Sequence, residues 1–528
     1  MADSRAPSRP AASAAPRELF PCPLPHPVVA ASFPVPAKVA SRACRRRSTM
    51  KELTQQWENE AVLALNQAFA PGRAPDPSFR ATSAAQRACL DRIRDTFRTF
   101  GQPEPMSPAA AFDALRRTRP GYGDPGPRAT FRQELLSLPI TKGVFADGDS
   151  ILHGDDLAAW RDWRSLLLRH PDDALRQRRQ LGLDTPYSDP ALVRRPRVYA
   201  AFVADLMSRG LVSLYDETPA TVGTFFVWKK GKEKLRMILD TRIANTSFVE
   251  PWHCSLPTAA SWSQLEVPVD GRLLLSQMDV DNAFYRIRCP PGMNEHFVMP
   301  AVKRSHLEAL GVTLPAGSSV RVSPRLEVLA MGFNWSLYFC QAMVKQCVLR
   351  AGIKEPQLVE DRRVPPCLAS EVGSAVYVDG AAIIGLHDQV VEKYAVKVLD
   401  QLNAAGLLCH DIENHGEEQI FTGLDIRQDG IIRVQPKRAW RLRLALVHVL
   451  QKGRVSGDDL RCLIGHFTWC ALLRREALSL VSSVYAFMSA AGPHTWTLWA
   501  SVRRELRWMA ALIPLLATDT RSIWSDTI

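Results

Sequence analysis

An α+β fold is expected from changes of texture along the chain. Residues from about 50 to 210 carry helical periodicity, broken by loops rich in Pro and Gly such as Pro120 to Pro127. After Gly210 the pattern turns to short runs of β-branched and aromatic residues with helices between them, and from about 437 to 515 it returns to helix. Ahead of these lie residues 1–49, crowded with Pro, Ala, Ser and Arg and poor in acids. Such a segment buries too little apolar surface to offset ordering entropy, so a disordered basic tail is expected, ahead of a transit peptide or nuclear signal.

The size and charge fit this organisation. At 528 residues the chain is long enough for two to four compact units. Hydrophobic residues make up 46% and charged residues 23%, as in ordinary globular proteins. Lys and Arg outnumber Asp and Glu by 66 to 54, for a formal charge of +12 and a pI near 9.3. That excess favours polyanionic partners, because neutralising phosphates releases their condensed counterions. The eleven cysteines show no CxxC spacing, which argues against a structural zinc site and for a reducing compartment, cytoplasmic or nuclear. No apolar run approaches the about 18 to 20 residues that span a bilayer.

Individual elements follow from local pattern. Trp160 to Arg179 sets Trp160, Trp163, Leu166 and Leu167 at helical spacing beside several arginines, which reads either as a nucleic-acid contact or as a helix with a solvated basic face. Thr224 to Trp228 and Leu235 to Leu239, joined by Lys229, Lys230, Gly231 and Lys232, predict a β-hairpin with a basic tip. Leu273 to Val280 predicts a strand that ends in an aspartate, and Ser374 to Ile384 a second buried-strand segment. Asp388 to Ala405 predicts a helix with an apolar stripe that stops at Gly406. Ser456 is placed to cap a helix that carries Leu460, Leu463, Ile464 and Phe467 on one face.

Chemistry enters with Asp279 and Asp379. Nucleotidyl transfer with two divalent ions about 3.5 to 4 Å apart needs carboxylates that converge from different strands. Asp279 closes one strand pattern, within Met278-Asp279-Val280-Asp281-Asn282-Ala283-Phe284, and Asp379 sits in the turn Tyr377-Val378-Asp379-Gly380. Four further segments complete an ordered set. They are Phe225 to Lys230 with Leu235 to Arg242; Leu329 to Ser336 ending at Gln341; Gly406-Leu407-Leu408; and Phe421-Thr422-Gly423-Leu424. Leu460 to Phe487, including Gly465-His466-Phe467-Thr468-Trp469, follows them.

From about Arg197 to Phe487 this order resembles the reverse transcriptases of retroviruses and of LTR-type or related retroelements. The resemblance implies a right-hand polymerase, with fingers and palm in 211–436 and a helical thumb or connection region in 437–528, preceded by the helical region 50–210. It implies transfer of deoxynucleotides onto a primer along an RNA or DNA template, with Mg²⁺ or Mn²⁺ held by Asp279, Val280 and Asp379. In such enzymes a Lys and an Arg of the fingers hairpin grip the triphosphate, a role that falls to Arg236 and one of Lys229, Lys230 or Lys232. Phe284 takes the place of the aromatic residue that excludes a 2′-hydroxyl; read on position alone it is a core phenylalanine. Val280, Gly332, Gln341 and Tyr377 fall at substrate-contact positions, and an RNase H domain, common in relatives from about the last residues onward, is expected to be absent.

Three departures stand out. Gly380 replaces the second of two adjacent aspartates, removing one of three expected carboxylates, so a catalytically impaired nucleic-acid-binding protein is the alternative expectation. Asp281 would share a face with Asp279 if the strand continued, and otherwise faces solvent. Met331 replaces a glutamine, and Cys409-His410-Asp411 stands where relatives often carry a lysine, which leaves His410 as a weak candidate proton donor. A basic helical scaffold with accidental motifs is the remaining reading, and it requires Asp279 and Asp379 to lie far apart.

Overall fold

The computed structural model describes residues 24, 42–69, 83–101, 106–116, 128–139, 143–229, 233–314, 319–410, 412–414, 416 and 418–521. They form a mixed α and β structure with several small sheets. Two compact units result: one joins residues up to 116 with 433–517, the other joins 117–432 with 518–528. The stretch 50–210 is therefore shared between units. Most of the expected tail lies outside the described residues, but its last residues belong to a helix that begins at Arg42.

In chain order, α1 spans Arg42–Phe69, α2 Ala84–Thr99 and α3 Pro108–Arg116. A capping box starts α2: the Ser83 hydroxyl accepts from the Gln86 N–H at 3.1 Å, while the Gln86 side chain accepts from the Ser83 N–H at 3.2 Å. The segment Trp160 to Arg179 is not one helix; it is divided among Gly154–Arg161, Trp163–Leu166 and Pro171–Gln180. Trp160, Trp163 and Leu167 are buried, whereas Leu166 is exposed. Several of its arginines bond within the protein. Arg161 pairs with Asp149, Arg164 with Glu295 and Arg176 with Asp173, and Arg178 donates to two carbonyls.

The basic hairpin forms as expected, with β1 at Gly223–Trp228 antiparallel to β2 at Leu235–Asp240. Its tip, with Lys230 and Lys232, lies outside the described residues. Next come β3 (Leu274–Asp279), α4 (Ser336–Arg350), β4 (Gly373–Tyr377), β5 (Gly380–Gly385) and α5 (Asp388–Ala404). The buried-strand segment expected at Ser374 to Ile384, with Asp379 in its turn, is a tight hairpin, and it inserts with β5 at the centre of an antiparallel sheet, between β3 and β4. Helices α4 and α5 pack on this sheet. Val391, Ala395, Val398 and Leu402 of α5 are buried, as their spacing predicts, and Gly406 follows with φ +83. A Cβ at Gly406 would lie 2.7 Å from the Phe145 backbone, so the helix stop is also a close packing point. The hairpin Glu418–Phe421 to Leu424–Arg427 turns through Thr422 and Gly423, both at positive φ, as its handedness requires.

The other unit is built from α1 to α3 together with α6 (Pro436–Lys452), α7 (Gly457–Ala471), α8 (Ser482–Ala491), α9 (Ala500–Leu512) and a two-stranded ribbon, β6 (Arg454–Ser456) with β7 (Thr495–Thr497). The Ser456 hydroxyl caps α7 by accepting from the Asp459 N–H at 3.1 Å, and the four apolar residues named above are buried. Trp57 of α1 is fully buried, with ring contacts to Phe97, Phe100 and Trp440, and its indole N–H donates to the Ala510 carbonyl at 2.8 Å. Beside it, Arg443 lies over the Trp57 ring and pairs with Glu60 at 2.7 Å.

Candidate active site

Asp279 and Asp379, a hundred residues apart in the chain, are neighbours in the sheet. Asp279 closes β3 and pairs with Gly380, the first residue of β5. The Val280 N–H donates to the Asp379 carbonyl at 2.9 Å. The distance that the accidental-motif reading required is not found. Both side chains are open to solvent, yet protein surrounds each closely enough for desolvation to be the largest influence on its acidity, pushing both carboxyls up.

The pair is electrostatically asymmetric. For Asp379 the desolvation is opposed by its own backbone N–H and by the Arg236 guanidinium. For Asp279 the charge of Asp379 and then that of Glu413 add to desolvation, with His410 opposing.

The turn that carries Asp379 is strained. Tyr377 pairs with Gly380, which leaves Val378 and Asp379 as the two turn residues, and Val378 has φ +59. A β-branched residue rarely adopts that conformation, which glycine prefers at this position of such a turn. Gln341 of α4 holds it there. Its side-chain oxygen accepts from the Val378 N–H at 2.6 Å, and its side-chain nitrogen donates to the Val376 carbonyl at 3.0 Å. Gln341 was expected at a substrate-contact position; it is instead 3% exposed with both ends of its amide engaged by the turn. It positions Asp379 from behind.

Other expected residues fall in distinct places. Arg236 and Tyr377 are exposed, and the Arg236 charge acts on Asp379. The Lys229 ammonium donates to the Ser137 hydroxyl at 2.6 Å, and burial together with Arg236 pulls its pKa down. Phe284 and Val280 are buried side chains. Gly332 has φ +128, and a Cβ there would lie 2.5 Å from the Leu239 carbonyl and 2.9 Å from the Thr241 hydroxyl. Its close backbone approach is therefore to the basic hairpin.

Asp281 does not replace the missing carboxylate. The strand ends at Asp279, and Asn282 takes a left-handed conformation with φ +52. Asp281 is only partly exposed and pairs with the buried Arg286 at 3.1 Å, while His410 lies 3.6 Å away. Asp411 lies outside the described residues. Glu413, which sequence reasoning missed, reaches Asp279 electrostatically because the chain after Gly406 runs back along β3, bridging Val280 to Cys409 and Gln277 to Glu413. The Glu413 carboxylate accepts from the Gln277 side chain at 2.7 Å. No alternating pattern in that segment marks it as a strand.

Among the described residues, no cluster of three or more His, Cys, Asp or Glu side chains is arranged to hold a metal ion. Two carboxylates are nevertheless hard oxygen donors whose repulsion a divalent cation would relieve. Magnesium is commonly held by one or two carboxylates together with substrate phosphates, so Asp279 and Asp379 fit it. No helix among the described residues is long and apolar enough to cross a membrane.

No protein-family model matches the chain, and no curated protein matches it. Among solved structures, the chain is similar to the foamy viral protease-reverse transcriptase dRH solved in complex with double-stranded DNA, at 15% identity and a TM-score of 0.42. The match covers 78% of this chain and 65% of that one, so the chain spans about two thirds of its neighbour's length.

Proposed function

We propose that the chain is a template-directed DNA polymerase of the reverse-transcriptase type, with the unit around β3 to β5 acting as palm and the basic hairpin as fingers. The observation that carries this reading is the pairing of Asp279 with the Asp379 turn, beside a guanidinium that acts on the same carboxylate. Magnesium bound there would neutralise the triphosphate and lower the pKa of the primer hydroxyl. Asp279 and Asp379 hold it, Gln341 keeps Asp379 in place, and Arg236 meets the incoming phosphates with charge-assisted hydrogen bonds. Phe284 limits room at the sugar from within the turn after β3. Template, primer and deoxynucleotides are the partners on this reading.

Extension of a labelled primer on RNA and DNA templates by the purified chain tests it, with Asp279→Asn and Asp379→Asn as controls. Magnesium-dependent extension that either substitution abolishes is expected. Equal, negligible extension by wild type and variants would reject the polymerase reading. Gly380 favours the second reading, a nucleic-acid-binding protein without turnover, and the same negligible extension with retained template binding would support it.

A further inference from the structure

The segment from Arg433 to Ala517 contains thirteen Lys and Arg against four Asp and Glu, so it holds +9 of the chain's formal +12. Two of those acids are already engaged: Glu505 is buried and accepts from the Ser483 and Val484 N–H groups, and Asp458 pairs with Arg461. The large hydrophobic side chains left exposed in this unit, among the described residues, are Tyr485, Trp496 and Trp499, all aromatic. Those exposed in the other unit are mostly aliphatic, such as Leu166, Val269 and Val364.

Local structure sets Trp499 beside basic residues and Trp496 on the adjoining ribbon. Trp496 on β7 pairs with Val455 on β6; Val455 is buried while the indole stays 41% exposed. Trp499 meets Phe487 edge-on at 5.3 Å and stays 39% exposed. The Leu498 N–H donates to the Gly453 carbonyl at 2.9 Å, and the Arg503 guanidinium reaches the same oxygen at 3.4 Å. These contacts bring Trp499 to the end of α6, next to the exposed Lys452 and Arg454. The segment's +9 charge favours a polyanion, and the flat indole faces offer stacking surfaces. Exposed indoles among cations suit unstacked bases joined by phosphates.

We propose that the β6–β7 ribbon of the 433–517 unit and the end of α6 bind single-stranded nucleic acid, with bases stacking on Trp496 and Trp499 and phosphates held by Lys452 and, from the other side of the ribbon, Arg454. The inference goes beyond the polymerase reading and stands whether or not the carboxylate pair catalyses. Anisotropy of fluorescein-labelled oligo(dT)20 with the full chain tests it, alongside a blunt hairpin duplex and vesicles of phosphatidylserine and phosphatidylcholine. Leucine at both tryptophans keeps apolar cover over Val455 but removes the aromatic faces, and should weaken oligo(dT)20 binding by about tenfold or more. Trp496→Phe should retain most of the affinity, and Arg454→Gln should flatten the salt dependence by about 0.7 in log–log slope. Unchanged oligo(dT)20 affinity in the double leucine variant overturns the proposal, as does an equal loss for the blunt duplex or a loss confined to the vesicles. Thermal melts of each variant separate loss of binding from loss of fold.

Discussion

Replacing Gln341 by leucine removes two hydrogen bonds from the back of the Asp379 turn while nearly conserving volume. The 2.6 Å bond from the Val378 N–H and the 3.0 Å bond to the Val376 carbonyl both disappear. No water can enter easily, because Val376 and Val378 are 3% and 1% exposed. A buried polar group left without a partner costs about 1–3 kcal/mol, so the two together cost about 2–6 kcal/mol, less what the added apolar carbon returns. The left-handed Val378 stores roughly 1–3 kcal/mol of backbone strain that persists only while its surroundings enforce it. The turn should therefore relax, and Asp379 should leave its place beside Asp279. Thermal unfolding should begin several degrees lower, and single-turnover extension should slow by more than tenfold with little change in primer–template affinity. A variant that melts within a degree of wild type and extends at the wild-type rate would refute the assignment of Gln341 as the support of Asp379.

Further perturbations probe other links. In Gly380→Asp the new Cβ would lie 2.8 Å from an Asp279 carboxylate oxygen, a flexible group that can turn aside. Three crowded carboxylates should lower the melting temperature without divalent ions and raise the gain on adding Mg²⁺ above that of wild type; an equal gain would show that Gly380 is no deficit. Burial, then Arg438, pulls His466 down to about 4 from an ordinary 6.5, so between those values the unfolded chain binds the proton that the folded chain refuses. Stability is then complete above about pH 6.5 and falls by about 2–3 kcal/mol as pH drops to 4. His466→Gln should remove that slope in denaturant midpoints measured across the window. Glu60→Ala leaves Arg443, 7% exposed, without its ion-pair partner. Because Glu60 is itself partly exposed, a loss of about 2–3 kcal/mol is expected, and adding Arg443→Met should recover much of it in a double-mutant cycle.

How much was legible in the sequence depended on the range of the physics involved. Apolar spacing placed the stripe of α5 and the buried face of α7, because a helix repeats its surface every 3.6 residues whatever surrounds it. Ser456 announced its cap, and the basic hairpin its strands, through interactions that span only a few residues. The pattern also set Asp279 at a strand end and Asp379 in a turn. Trp160 to Arg179 misled because one apolar rhythm ran across three short helices, broken at Asp162 and again between Leu166 and Pro171.

What only the tertiary structure decided was partnership. Insertion of the β4–β5 hairpin beside β3 makes neighbours of two aspartates a hundred residues apart. The same packing turned Gln341 inward to a backbone turn, gave Asp281 to Arg286, and brought Glu413 alongside β3. Trp57 likewise found Trp440 across nearly four hundred residues. Hydrophobicity and turn propensity are properties of single residues and short windows, so they are written locally. Which polar group meets which depends on how separate elements pack, and no short window of sequence contains that.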